Sequence, residues 1–408
     1  MELPEHGTSR AEIVAAMRAR KQLDAQWYAG RTFSLVYPTD TEVDEVLRDA
    51  NELYLFENAL NPFRFPSLAQ MHDEVVAMTA GLLHAPPTAG GSMTSGGTES
   101  ILMAMLVARE RARVEHGIEH GQLLAPVSAH PAFAKAAKYL GLELVQIPLA
   151  DDFRADVEAA RPLVNERTVV IVGSAPGYPH GVLDPIEALA ELAAERQIAF
   201  HTDACVGGFL LPFVESLGHE VAPYDFRVEG VTSMSADVHK YGYATKGASV
   251  VLHREKDWWF QHQLFLFDQW PGGLYGSPAA AGARPGAPVA AAWAVMMHLG
   301  RPGYLALTER LLRVRDAIRA GIDAIDGLRV LGDPVASVMA FTSDAFDIGA
   351  IGDVMDDRGW HLDRQSNPHA LHMMLSPAHD KVVDEFLADL REAVEQHGPS
   401  RGVTPRYS

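Results

Sequence analysis

The chain has 408 residues, of which 48% are hydrophobic and 21% charged, with a formal net charge of −19. That length can bury one large core and a smaller one, and an acidic balance with no basic stripe excludes nucleic acid as a partner. A single cysteine, Cys205, excludes an internal disulfide and a cysteine-based zinc site, and the 18 histidines fall at no metal-ligand spacing, so no metal is expected.

The opening segment, MELPEHGTSRAEIVAAMRARK, lacks the apolar core of a signal peptide. No apolar run reaches about 18 residues, and the nearest, 287–297, is too short to cross a bilayer. A bacterial-type cytoplasmic location is the expectation. Residues 41–57 carry helical periodicity behind a Thr cap, and Asn61-Pro62 ends that helix. From 67 to about 300, helical stretches alternate with the short apolar runs ELVQIPL, TVVIVGS, IAFHTD, GVTSMSA and ASVVLH. The alternation predicts a parallel or mixed sheet with helices on both faces.

Four places in this stretch carry chemistry. TSGGTES (94–100) precedes the helical ILMAMLVARERA, so Gly96, Gly97 and Thr98 form the turn at a helix N-terminus, where N–H groups and the dipole favour a dianion. An ordinary helix cap is the plainer reading of those residues alone. His130, in SAHPAFAKAAKYLG between the strand-like LLAPVS and a short helix, offers an imidazole to stack on a flat ligand, although a lone His is more often structural. IAFHTD ends in Asp203, with Gly207 and Gly208 just beyond, and such strand ends face the ligand crevice of an open α/β sheet. In SADVHKYGYATKG (235–247), His239 and Lys246 bracket Lys240 and make its ammonium easier to deprotonate. Basic residues at a helix C-terminus are the alternative there.

An Asp that keeps a pyridine nitrogen protonated and a Lys that condenses with an aldehyde are what pyridoxal phosphate (PLP) needs from a protein. Joined to a phosphate turn and a stacking His, they are far more specific than any one alone. A PLP enzyme is therefore predicted, with Asp203 keeping the ring an electron sink.

Farther on, 268–286 is a long loop rich in Gly, Pro and Ala, of a length that is usually functional. After Gly303 the pattern changes to a long helix ending near 325, then LRVLG, VMAFTS, a helix around 348–358, WHLDR, LHMMLS and a final helix over 380–396. That is a compact α+β layer of about 100 residues. The end, 398–408, reads as a polar disordered tail. The expected division is 1–64, a helical segment contributing to dimer and site; 65–303, a large PLP-binding domain; and 304–408, a small C-terminal domain.

Taken in order, TSGGTES, AHPAFAKAAKYLG, GSAPGYPHGVLDP, HTDACVGGFLLPF, SADVHKYGYATKG, WPGGLYGSP and RGWHLDRQSNP resemble the sphingosine-1-phosphate lyase family from about residue 24 to the end of the small domain. The resemblance implies an α/β protein of PLP-dependent transferase fold type I, aspartate aminotransferase-like, with a large mixed-sheet domain and a small α+β C-terminal domain. It also implies a carbon-carbon lyase of sphingolipid metabolism, working as a homodimer with shared active sites across which the loop 268–286 reaches. Carried over position by position, Lys240 condenses with the cofactor, while Gly97, Thr98 and His239 hold its phosphate. His130 stacks on the ring, Asp203 pairs with the ring nitrogen and Cys205 packs beneath. Lys246 falls on the family's second Lys, associated with cleavage and with the substrate phosphate.

Three departures gather at the substrate end. The family's Ser-Gly-Ala-Val-Tyr reads Phe33-Ser34-Leu35-Val36-Tyr37, keeping Tyr37 but bulking its approach. Its Asn-Pro-Leu-His reads Asn61-Pro62-Phe63-Arg64, and Arg64 is either a bidentate phosphate clamp or the mark of a different acid on the substrate. Its Gly-Ser-Arg, whose Ser touches the cofactor phosphate from the neighbouring subunit, reads Gly282-Ala283-Arg284. On so acidic a chain an anionic substrate needs a local cationic patch, for which Arg64, Lys246 and Arg284 are candidates; interface salt bridges are the alternative for the two arginines.

The expected substrate is sphingosine 1-phosphate or a related phosphorylated long-chain 2-amino alcohol. Its Cα–Cβ bond breaks to give a fatty aldehyde and phosphoethanolamine, with a base near Lys246 or Tyr37 taking the C3 hydroxyl proton. The alternative is an amino-acid α-decarboxylase of the glutamate and aromatic group, sharing Lys240, Asp203 and His130. A third reading, a dimeric scaffold that has lost activity, runs against the presence of those same three residues.

Overall fold

The computed structural model describes residues 2–405. Short apolar segments form strands β1 (Gly90–Thr94), β2 (Gln122–Pro126), β3 (Glu143–Ile147), β4 (Thr168–Ser174), β5 (Ala199–Asp203), β6 (Ser233–Ala236) and β7 (Ser249–His253). They make one sheet in the order β1-β7-β6-β5-β4-β2-β3. The run from β6 to β3 is parallel, and β7 is antiparallel to both β6 and β1. The sheet is mixed, as expected of a fold type I enzyme.

Strands β4 and β5 are buried at every position, which explains their unbroken apolar reading. Their residues alternate between two cores: Val170 and Val172 join Ile101 and Phe133, while Ile171 joins Leu189 and Phe200. The helices Gly97–His116 and Ala132–Leu140 supply the first core, and Ile186–Glu195 supplies part of the second. Ser174, Asp203 and Ser235 are register partners at the ends of three adjacent strands, so they share one rim.

Beyond the sheet, β8 (Phe265–Phe267) and β9 (Tyr275–Ser277) form a hairpin. β10 (Leu328–Val330), β11 (Val338–Ser343), β12 (Asp363–Ser366) and β13 (His369–Met374) form a second, antiparallel sheet in the order β10-β11-β13-β12. The helices Ile348–Asp357 and Val383–Gln396 accompany it.

Several elements differ from the sequence reading. The helix expected over 41–57 spans Thr41–Leu53: extended Asp40, not Thr41, is its N-cap, and it stops early where Tyr54 leaves helical geometry at φ −120°. The helix after Gly303 is the second part of Ala287–Asp323, broken at Gly300. WHLDR contributes only its last two residues to β12. The final helix is preceded by a separate 3-10 turn, Pro377–Lys381. Part of the expected tail is docked: the Arg401 N–H donates to Asp353 at 2.6 Å and its guanidinium to Asp357 at 2.9 Å, while 406–408 lie outside the described residues. Among the described residues no helix is long and apolar enough to cross a membrane, and no His, Cys, Asp and Glu cluster could hold a metal.

Candidate active site

The shared rim opens on a cavity of about 350 Å³ lined by Gly96, Gly97, Thr98, His130, Asp203, Cys205, His239, Lys240 and Lys246. Seven of the predicted cofactor positions therefore meet in one place. The turn before the helix Gly97–His116 is pressed hard against its neighbours. A Cβ on Gly97 would stand 2.8 Å from Cys205 Sγ and 2.9 Å from the Asp237 carboxylate. Only glycine permits that approach, and it leaves the helix N–H groups facing the cavity. Glu99 braces the turn from both sides, accepting from the Ser95 N–H at 2.6 Å and from the Ala280 N–H at 2.7 Å.

At the other wall Asp203, 7% exposed, ends β5. Its Oδ1 accepts from the Cys205 N–H and the Ser235 hydroxyl, both at 3.1 Å. Behind Ser235 lies His201, with Nε2 3.2 Å from Ser235 Oγ and Nδ1 2.9 Å from Ser233 Oγ. Burial pushes His201 down to about 4, so it is neutral at physiological pH. Two hydrogen bonds converge on Oδ1, which leaves Oδ2 for a pyridinium N–H. His130 is likewise held below its ordinary value by burial, and its Nδ1 accepts from the Ala132 N–H at 3.1 Å. A neutral, locally anchored imidazole suits ring stacking.

Lys240 corrects one expectation. Its Nζ lies 2.9 Å from Asp237 Oδ2, with the two side chains 14% and 2% exposed. Burial alone would lower the ammonium, but Asp237 holds it well above its ordinary value. Burial pushes the Asp237 carboxyl up, yet Lys240 and His239 keep it below the usual range. The near carboxylate outweighs the bracketing cations. Asp237 is three residues before Lys240, a spacing that could have flagged the pair.

Lys246 lines the same cavity. Its Nζ donates to the His239 carbonyl at 3.1 Å and stands 4.6 Å over the Tyr37 ring. The residue remains solvent-exposed, yet desolvation by the surrounding protein, with Lys240 adding to it, lowers it to about 8. Tyr37 sits beneath Lys246, edge-on to Tyr241 at 5.0 Å. The Cys205 thiol is pushed well up by burial and by Asp203, so it is a packing group. His239 donates from Nδ1 to the Ala248 carbonyl at 2.8 Å, and its Cε1 lies 3.7 Å from where a Gly96 Cβ would stand.

The three substrate candidates are elsewhere. Asn61 Oδ1 accepts from the N–H groups of Phe63 and Arg64, at 3.0 and 3.1 Å, and so builds its own turn. Asn61 and Arg284 line a second cavity of about 560 Å³ with Leu266, Leu274 and Tyr275. Arg284 donates to the Ala59 carbonyl at 3.0 Å, and its Nε is buried with no hydrogen-bond partner. Within one chain, then, Asn61, Arg64 and Arg284 are not brought to Lys240. Sequence reasoning passed over Ser235, Glu99 and Tyr178, which lines the first cavity.

The residues present fit PLP: a helix N-terminus for the phosphate, a carboxylate for the ring nitrogen and a buried Lys for the aldehyde. Residues 44–342 match the family model described as the pyridoxal-dependent decarboxylase conserved domain. The sphingosine-1-phosphate lyase of Arabidopsis thaliana is 43% identical, with 99% of this chain and 76% of that protein covered. Sphingosine-1-phosphate lyase 1 of Rattus norvegicus is 40% identical over 97% of this chain and 70% of its own. Among solved structures, the Burkholderia pseudomallei K96243 sphingosine-1-phosphate lyase superposes with a TM-score of 0.94 at 41% identity, covering 97% of this chain and 93% of that one. The Lactobacillus brevis glutamate decarboxylase reaches 0.84 at 19% identity over 97% of this chain and 94% of that one, a likeness of fold alone. By this near full-length likeness the chain belongs to the pyridoxal-dependent decarboxylase family and, within it, to the sphingosine-1-phosphate lyases.

Proposed function

We propose that the protein is a PLP-dependent lyase that cleaves the Cα–Cβ bond of sphingosine 1-phosphate, or of a related phosphorylated long-chain 2-amino alcohol, to a fatty aldehyde and phosphoethanolamine. The observation that carries the reading is likeness at 41% identity over 97% of the chain to a solved lyase, against 19% to a solved decarboxylase. When bound, the cofactor supplies a protonated ring that accepts the electron pair of the broken bond. Gly97, Thr98 and His239 would hold its phosphate, His130 would cover the ring, Cys205 would pack against it, Asp203 would keep the nitrogen protonated and Lys240 would condense with the aldehyde.

Lys246 takes the C3 hydroxyl proton, with the Tyr37 ring beneath it steadying its charged form. A base must be neutral to accept a proton, and Lys246 titrates at about 8. Below that pH, kcat is expected to rise about tenfold per unit and to level off above it. The Lys246→Met variant should lose this limb of the pH–rate profile; a limb that survives would move the role to another group.

Purified holoenzyme incubated with sphingosine 1-phosphate should release aldehyde, and with glutamate or an aromatic amino acid no carbon dioxide. Carbon dioxide without aldehyde would transfer the protein to the decarboxylases. No spectral response to any of them would favour the scaffold reading.

The substrate phosphate is met by Asn61, Arg64 and Arg284 of a second subunit in a homodimer. The support is apolar exposure around them: Phe63 is 92% exposed and Leu274 72%. All three residues of β8 are exposed as well, and a lone two-stranded hairpin is marginal without a partner. Co-expressed Lys240→Ala and Arg284→Ala chains should recover about a quarter of wild-type activity, since half of random dimers carry one intact site of two. Activity no greater than that of the separate variants would place the whole site within one chain. The same reading keeps the divisions 1–64, 65–303 and 304–408 and a cytoplasmic location.

A further inference from the structure

Asp237 follows directly on β6, which ends at Ala236, and lines the cavity beside Lys240. Its N–H donates to the Cys205 carbonyl at 3.4 Å. Both side-chain oxygens press on the turn before the helix Gly97–His116, each 2.9 Å from where a Gly97 Cβ would stand. Oδ2 takes the Lys240 ammonium at 2.9 Å. Oδ1 is buried and accepts no hydrogen bond, because Ser249 beside it donates to the Ala236 carbonyl at 3.2 Å instead. A buried carboxylate thus lies against the turn that suits a phosphate, and the cation in contact with it is the amine that condenses.

Condensation takes that cation away. To form a carbon–nitrogen double bond an ammonium gives up all three of its hydrogens: two leave with the aldehyde oxygen as water, and the third passes as a proton to a base. Lost to solvent, that proton would leave Asp237 charged and buried beside a bound dianion, without its partner. Passed along the existing hydrogen bond to Oδ2, it leaves the pair at the net charge of zero that it had as an ion pair. The dianion itself favours this outcome, since a like charge raises a carboxyl. The other titratable groups facing Asp237 are less well placed. His239 Nε2 stands 3.8 Å from Oδ2, and burial holds that ring below its ordinary value, as it does His130. The Cys205 thiol, pushed well up by burial, keeps its own proton, and Lys246 Nζ is turned to the His239 carbonyl.

We propose that Asp237 takes the proton that Lys240 sheds on condensing and stands as a neutral acid in the loaded enzyme. The inference rests on the assignment of Lys240 and not on the identity of the substrate. It gives the cavity an internal proton store. An amine that displaces Lys240 passes two hydrogens to its nitrogen, and Asp237 returns the third, so the ion pair forms again. In the loaded state the neutral acid also spares the bound phosphate a like charge beside its turn.

The test is infrared difference spectroscopy on the full chain, loaded with PLP against unloaded. Loading should bring up the carbonyl band of a protonated carboxylic acid, which moves on labelling with carbon-13 aspartate and is missing from Asp237→Asn. Borohydride gives a second reading that needs no substitution. Hydride adds to carbon and a solvent proton to nitrogen, yielding a secondary amine basic enough to take the proton back from Asp237. The acid band should then vanish and a carboxylate band return. A near-visible cofactor band without the acid carbonyl, an acid carbonyl that persists in Asp237→Asn, or one that survives reduction would overturn the proposal. Should Asp237→Asn fail to fold, the reduction alone decides. If no near-visible band forms, the assignment of Lys240 falls and this proposal with it. A loaded enzyme that shows the acid band yet releases no aldehyde from sphingosine 1-phosphate fails the lyase reading and not this one.

Discussion

Lys240→Ala is expected to abolish the near-visible absorption of the covalently held cofactor and to lower turnover by about 10⁴-fold or more, the scale of losing an activated covalent group. The substitution has a second effect that must be separated from the first. Asp237, 2% exposed, loses the ammonium 2.9 Å away, and a buried carboxylate left without its cation costs about 3–5 kcal/mol. Compared without cofactor, where Lys240 carries a free ammonium, Lys240→Ala should therefore unfold at a lower temperature than wild type. Adding Asp237→Asn removes the orphaned charge and should restore much of the stability while leaving turnover lost. If both properties return together in the double variant, or if Lys240→Ala keeps the absorption band, the assignment of Lys240 is wrong.

The same pair sets a pH window for stability. The Asp237 carboxyl is held below its ordinary 3.8, so its contribution is present above that pH and is lost as the pH falls through the depressed value. The Lys240 ammonium is held above its ordinary 10.5, so its contribution is present below that pH and is lost only as the pH rises through the raised value. In the cofactor-free protein the ion pair is intact between those limits. If Lys246 is the base, as proposed, its neutral form is populated only in the upper part of the window, so loss of rate on acidification should precede loss of fold.

The strand ends were legible because fully buried parallel strands are written as continuous apolar runs. IAFHTD stops at the residue that must leave the core, and β5 ends at Asp203. The turn itself was legible, since Gly96 and Gly97 stand immediately before a long apolar helix, but by themselves those residues read as an ordinary cap and only the neighbouring motifs suggested a phosphate there. β1 was not read, since GGSMT has no β-branched or aromatic run and enters the sheet as an antiparallel edge through its pairing with β7. Of the β8–β9 hairpin, β9 lies inside the Gly- and Pro-rich loop, while the three residues of β8, Phe-Leu-Phe, are too short a run to read as a strand. Contacts distant in sequence were beyond reach altogether. Tyr178 meets Asp363 across 185 positions, and Glu99 meets Ala280 across 181, pairings that no local pattern encodes. The sign of the Lys240 shift was misjudged because proximity in sequence ranked His239 and Lys246 above Asp237, whereas the turn geometry puts the carboxylate nearest.

Asp203→Asn is expected to lower kcat by about 10³-fold with cofactor retained. The magnitude follows from which way the amide must face. Two donors, the Cys205 N–H and the Ser235 hydroxyl, converge on Oδ1 at 3.1 Å each, so the amide carbonyl occupies that place and its NH₂ turns to the cavity. A donor then meets the ring nitrogen where an acceptor stood, and the nitrogen is held unprotonated. The fold should barely respond, since the His201 and Ser235 bonds behind the residue are kept. Thermal unfolding is expected within a few degrees of wild type, which separates this loss from that of Lys240→Ala. Asp203→Ala loaded with the N-methylated cofactor, whose charge is fixed without a partner, should recover part of the rate that Asp203→Ala loses with the ordinary one. An Asp203→Asn enzyme of undiminished kcat would mean that the carboxylate serves the fold and not the ring.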